Sequence, residues 1–187
     1  AISRAERLLL FTKIIMAKPI EYGIEKLAAN QACYLAQELA NLIDTVHNQG
    51  LSFDRLTDLV PEEYAVHWQE TLKFLQIITE YWPQILAERQ LIDASDRRNR
   101  LLRAQIDLWR QNPPVKRIVA AGTTAAFPLM KELVKTVLSL EKGELYLAGI
   151  DKFLEDEAWE KIDETHPQHE LKELLDYLTV RREDIPD

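Results

Sequence analysis

Arg117-Ile118-Val119-Ala120-Ala121-Gly122, then Met130, Leu133, Val134, Val137 and Leu138 at helical spacing after Pro128, then Glu144-Leu145-Tyr146-Leu147-Ala148-Gly149, is the stretch whose reading decides the fold. The outer segments are apolar runs of strand length, each closed by a glycine. The middle one has the period of an amphipathic helix begun at Pro128, where a missing N–H costs nothing. Strand, loop, helix, strand is a βαβ unit, and such units cross over right-handed to give parallel strands. Two parallel strands are too few to stand alone, because parallel sheets are normally covered on both faces. The rest of the sheet is therefore expected outside this chain, which reads as a piece of something longer.

Upstream, residues 1 to 112 read as helices in series. Ser3-Arg4-Ala5-Glu6 is a capping box that starts a helix at once. Leu35, Leu39, Leu42, Ile43 and Val46 form a stripe that ends at Asn48-Gln49-Gly50, a C-terminal cap signal. Ser52 to Leu59 has room for a short helix only. Pro61 fits the first turn of a long helix whose inward face is Tyr64, Trp68, Leu72, Leu75, Ile78, Trp82 and Ile85, with a kink at Pro83. A further helix, capped by Asp93 or Ser95, turns Leu102, Ile106 and Trp109 inward and stops before Asn112-Pro113-Pro114. The expected class is mainly α: a bundle-like helical region over 1–112, then over 113–187 a βαβ unit with a short two-stranded parallel sheet and an acidic helical segment carrying Leu171, Leu174, Leu175 and Leu178.

Composition narrows the function. Across 187 residues, 23 Lys and Arg against 31 Asp and Glu give a net charge of −8, and 47% hydrophobic residues suffice for a real core, which excludes a disordered chain. Five Gly and eight Pro are too few for a turn-dense all-β protein. The single Cys33 excludes a disulfide framework and a cysteine-based metal site within the chain; mid-helix, it reads as a buried structural thiol. The longest apolar run, Leu8 to Met16, is broken by Thr12 and Lys13 and falls short of the roughly 20 residues a bilayer demands. Cytoplasmic localisation is the expectation.

Few residues offer chemistry. In nucleotide-hydrolysing α/β domains the strand ends supply phosphate and magnesium ligands. Here Ala120, Ala121 and Gly122 stand at that position, and methyl groups cannot ligate a hard cation. Thr123 and Thr124 precede a helix N-terminus, which suits a DNA phosphate as well as ordinary capping. Arg97, Arg98, Arg100, Arg103 and Arg110 against Asp107 make one helix basic in an acidic chain, a stripe that tracks phosphates or faces solvent. His166 and His169 are three apart and offer two nitrogens to a metal, but zinc wants three or four ligands and nothing fixes a third. The ordinary reading is a turn leading into a helix.

Three stretches together resemble one family: His67-Trp68-Gln69-Glu70-Thr71-Leu72-Lys73-Phe74-Leu75 running on to Trp82-Pro83; Val119-Ala120-Ala121-Gly122-Thr123-Thr124 with Pro128; and His166-Pro167-Gln168-His169 with Leu171-Lys172 and Leu174-Leu175. They resemble AddB, the double-strand break repair subunit of the AddAB helicase-nuclease, in its alphaproteobacterial form. The likeness departs at Thr123-Thr124-Ala125-Ala126-Phe127, where the family turn is richer in Ser and Gly. The resemblance implies an inactivated UvrD-type helicase, similar also to RecC, with a RecA-like domain interrupted by a helical insertion. It implies a non-catalytic DNA-channel and scaffold region in recombination, with an AddA-type helicase-nuclease subunit and DNA as partners. The family's nuclease domain and its iron–sulfur cluster belong to the far C-terminal end, so no cofactor is expected here. Two other readings stay open: a helical module that touches only its partner subunit, favoured by the −8 charge, and a metal hydrolase centred on His166 and His169.

Overall fold

The computed structural model describes residues 1–17, 27–53 and 65–186, with the backbone alone for 65–70. It is mainly helical, with a small two-stranded parallel sheet in a βαβ arrangement. Two compact units divide the chain, Ala1–Arg100 and Leu101–Asp187. The helix start expected at Pro61, the inward placement of Tyr64 and Trp68, most of the short helix expected over Ser52 to Leu59 and the side chains of His67-Trp68-Gln69-Glu70 lie outside the described residues.

In the first unit, α1 (Arg4–Ala17) begins at Ser3, whose Oγ accepts the Glu6 N–H at 3.2 Å. The Glu6 carboxylate turns away to Arg89 (3.3 Å), so half of the expected capping box forms. Helix α2 (Ala29–Asn48) packs along α1, and its buried face is Ala32, Ala36, Leu39, Ala40 and Ile43. That face is rotated from the expected leucine stripe and leaves Leu42 exposed, because alanines let the two backbones approach closely. Cys33 lies off this face and is exposed, which overturns its reading as a buried thiol. The α2 helix closes where the sequence places its cap: Gly50 takes φ +67° and the Leu51 N–H reaches back to the Val46 carbonyl at 2.9 Å.

Helix α3 (Ala65–Gln76) passes through a π-helical turn, Ile77–Tyr81, into α4 (Trp82–Glu88). Pro83 has no N–H for the preceding turn, and a widened turn accommodates its ring. It delivers Trp82 to the core, 2% exposed, its ring 4.5 Å from that of Phe11. Helix α5 (Ala94–Gln111) follows, with Ile106 buried and Leu102 and Trp109 half-buried as its spacing predicts.

In the second unit, β1 (Ile118–Ala121) pairs in parallel with β2 (Gly143–Tyr146) through α6 (Pro128–Leu138), in the register Ile118 to Gly143 and Ala121 to Tyr146. The side-chain period of two sorts these strands by face. Ile118, Ala120 and Leu145 lie toward α6, and Leu145 packs with Leu147 on a core of Ala125, Val134 and Leu174. Arg117, Val119, Ala121, Glu144 and Tyr146 share the opposite face, where Val119 and Tyr146 are exposed. Helix α7 (Asp156–Glu160) buries Trp159, and α8 (His169–Leu178) buries Leu171, Leu174 and Leu175 against the βαβ core. A 3₁₀ turn, Arg182–Asp184, ends the described chain.

Gly143 sits where α6 turns back into β2, and a Cβ built there would lie 1.7 Å from the Val137 carbonyl oxygen. Backbone presses on backbone, so no side-chain rotation relieves the clash. Gly143→Ala is expected to cost about 3 kcal/mol or more and to lower the thermal midpoint by about 6 °C or more for a chain of this size, read by circular dichroism.

Candidate functional site

The α5 arginines are held out by what lies beneath them. Asp93, immediately before the helix, is 2% exposed, and its carboxylate accepts Arg7 Nη1 at 2.7 Å and the Trp82 indole N–H. Arg7 also forks onto Asp44 at 2.6 and 2.9 Å. A second set of bonds fixes the next turn: Ser95 Oγ lies 2.8 Å from His47 Nδ1, and Asn99 Nδ2 donates to the His47 carbonyl at 2.6 Å. With Asp93, Ser95 and Asn99 buried, the first two turns of α5 are pinned on one side and Arg97, Arg98 and Arg100 face outward.

The arginines are not equivalent. Arg98 donates to Asn48 and so ties α5 to the end of α2. Arg100 forms an i,i+4 pair with Asp96 at 2.9 Å, a contact worth about 0.3–0.5 kcal/mol at a surface. Arg110 pairs with Glu132 at 2.9 Å. Arg97 and Arg103 are exposed and have no ion-pair partner among the described residues. Beside the start of α5 a groove of about 920 Å³ is floored by Leu75 and Trp82 and rimmed by Lys73, Glu80, Asp96 and Arg100, a balanced set that gives it no field for a polyanion.

At the end of β1 the expected positions carry no oxygen ligands. Ala120 faces α6, Ala121 is exposed, and Gly122 takes φ +66° with its N–H on the Tyr146 carbonyl at 3.3 Å. The threonines of the following loop have partners within the chain. Thr123 Oγ1 accepts the Ala125 N–H at 3.0 Å, and Thr124 Oγ1 donates to the Glu170 carboxylate of α8. Phe127 and Pro128 open α6, and the Phe127 carbonyl accepts the Met130 and Lys131 N–H groups. Glu170 thus brings negative charge to the loop at which an anion was expected.

His166 and His169 flank the turn before α8. The Gln168 N–H donates to His166 Nδ1 at 3.1 Å, so that nitrogen closes the turn, and His169 Nε2 lies 3.7 Å from Glu173. Among the described residues no group of three His, Cys, Asp or Glu side chains converges as a metal site requires. Nor is any described helix long and apolar enough to cross a membrane. The buried network around Asp93 is what sequence reading missed; its signal was Arg7 standing on the same face as Phe11 and Ile15, four residues apart, where a charge demands a buried partner.

No family model, curated protein or solved structure matches this chain.

Arg7→Ala is expected to destabilise the first unit by about 3–5 kcal/mol in urea titration, because it leaves Asp93 buried without a counter-charge. Asp44 adds a pH dependence. Burial raises its pKa, but the hydrogen bonds from Arg7 and Ser95 and the charges of Arg7 and His47 outweigh this and hold it below its ordinary value of 3.8. Its contribution is therefore present above pH 3.8 and lost as the pH falls through the lowered folded value. Asp44→Asn should flatten the acid limb of stability against pH; an unchanged slope would remove Asp44 from acid unfolding.

Proposed function

We propose that the chain is a catalytically silent, DNA-guiding scaffold region of an AddB-type subunit, acting with an AddA-type helicase-nuclease subunit in double-strand break repair. The observation that carries this reading is the end of β1. If β1 corresponds to the strand at whose end a RecA-like motor holds Mg²⁺, as the resemblance implies, then Ala120, Ala121 and Gly122, which offer no side-chain oxygen, stand at that position. A second observation supports it at the one departure from the family pattern. Ala125 has φ +49°, a conformation glycine adopts without strain, and a glycine-richer turn is what the family has in this loop. The open face of the sheet, with Val119 46% exposed, fits a strand pair meant to be covered by more of a RecA-like domain. On this reading the helices before β1 are the helical insertion.

The arginines of α5 are the DNA-facing candidates, and Arg97 and Arg100 test them; Arg98 is left in place because it anchors Asn48. In the intact complex, Arg97→Glu with Arg100→Glu should weaken DNA binding, each lost phosphate contact lowering the log–log salt slope by about 0.7 to 0.9. Unchanged affinity and slope would favour the alternative, a helical module that touches only its partner subunit, for which the net charge of −8 speaks.

The full-length subunit without its AddA-type partner should show no single-stranded-DNA-stimulated ATP hydrolysis. Without Mg²⁺ ligands the charge developing on the transferred phosphoryl has no clamp, and that electrostatic contribution supplies most of the acceleration. Turnover near the roughly 1–10³ s⁻¹ usual for enzymes, abolished by substitutions beside Ala120, would overturn both the reading and the strand assignment.

A further inference from the structure

The loop after β2, from Gly149 to Glu155, is built to hold one side chain away from the protein. Gly149 takes φ +78°, and its carbonyl accepts Gln168 Nε2 at 2.8 Å, while the Asp151 N–H donates to Gln168 Oε1 at 3.0 Å. Asp151 Oδ1 accepts the N–H groups of Phe153 (2.9 Å) and Leu154 (3.0 Å), and the Asp151 carbonyl accepts Arg182 Nη1 at 3.2 Å. Lys152 Nζ reaches the Ile185 carbonyl at 2.7 Å. Both neighbours of Phe153 are turned partly inward, and the Phe153 ring is 98% exposed, more than any other large hydrophobic side chain described. A slack loop would let the phenyl ring fold down on apolar surface; this one is bonded on both sides of it.

We propose that Phe153 is the anchor of a docking surface, its ring inserting into an apolar pocket with a basic rim on the partner helicase-nuclease subunit. The identity of the partner rests on the reading above; the chemistry of its pocket rests on the loop and on the carboxylates that run from it into α7. Aromatic side chains are strong interface anchors, and a loop backbone already bonded in place lowers the ordering cost left to be met on binding. The rim follows from charge. Between residues 151 and 160 stand Asp151, Glu155, Asp156, Glu157 and Glu160, all exposed, against one lysine whose ammonium is turned to the Ile185 carbonyl. The nearby Arg182 is also drawn in, bonded to Asp156 at 2.7 Å and stacked over the Trp159 ring at 4.9 Å. A ring set among carboxylates selects Lys and Arg across the interface. The same carboxylates repel phosphates, which makes base stacking on nucleic acid the disfavoured use.

The test mixes the purified full-length subunit with its AddA-type partner over a range of salt. Phe153→Ala should raise Kd about tenfold or more, as loss of an interface anchor does. Phe153→Trp should restore most of the affinity, and added salt should weaken the wild-type complex. Circular dichroism of both variants should match wild type, since the ring contacts no core. Equal affinity of wild type and Phe153→Ala for the partner would overturn the proposal and leave the family reading intact. A Phe153→Ala loss confined to single-stranded oligonucleotide binding would overturn it in favour of base stacking. If the wild-type subunit fails to bind the AddA-type partner at all, the family reading falls and takes this partner with it.

Discussion

A buried carboxylate governs the first unit. Asp93 is almost wholly removed from water, and such a charge is tolerable only when a counter-charge and further donors meet it. Arg7 from α1 and the indole of Trp82 from α4 supply them, so one side chain, on the residue just before α5, joins two helices at a single point. Removing Asp93 together with Arg7 is a different experiment from removing either alone, because an isostere pair of apolar residues can be neutral where a single deletion is not. The π-helical turn ahead of Pro83 leads directly into Trp82 and, by its wider pitch, turns the face on which that residue enters α4.

In the second unit the corresponding anchor is the loop after β1. Ala125 accepts a left-handed φ that costs a non-glycine residue roughly 1–2 kcal/mol, and its methyl is buried against Val134 and Leu174. Thr124 binds Glu170, and Lys131 lies 2.7 Å from Glu173, so the loop and α6 are both joined to α8 by polar contacts over an apolar centre. The Lys131 hydrogen bond lowers the Glu173 pKa against a smaller opposing effect of burial, so this contact is formed by a charged carboxylate at neutral pH. Here the loop serves as packing material.

Much of this was legible. Parallel pairing of the two strands followed from their separation by a helix, and the α5 and α8 faces followed from spacing alone. The α2 face departs from the leucine stripe because close helix contact selects small side chains, and Ala32, Ala36 and Ala40 add little to a hydrophobic pattern dominated by leucine. Glu170 could not be assigned to Thr124, nor Asp93 to Arg7, because a sequence displays charges without the distances that pair them. The threonine loop was therefore read for its donors while the carboxylate that takes one of them lay 46 residues away.

Charge is distributed by element in a way that the net −8 conceals. Residues of α5 present guanidinium groups outward, two of them without an anionic partner among the described residues, while the segment from Asp151 to Glu160 presents carboxylates. A Debye length of about 8 Å at physiological salt confines the influence of an exposed charge to its own neighbourhood, so the net sign of the chain describes neither stretch. Exposed guanidinium groups attract anions and exposed carboxylates attract cations. On the proposed reading, an acidic chain would contact DNA at the α5 arginines while its carboxylates weaken nonspecific attachment.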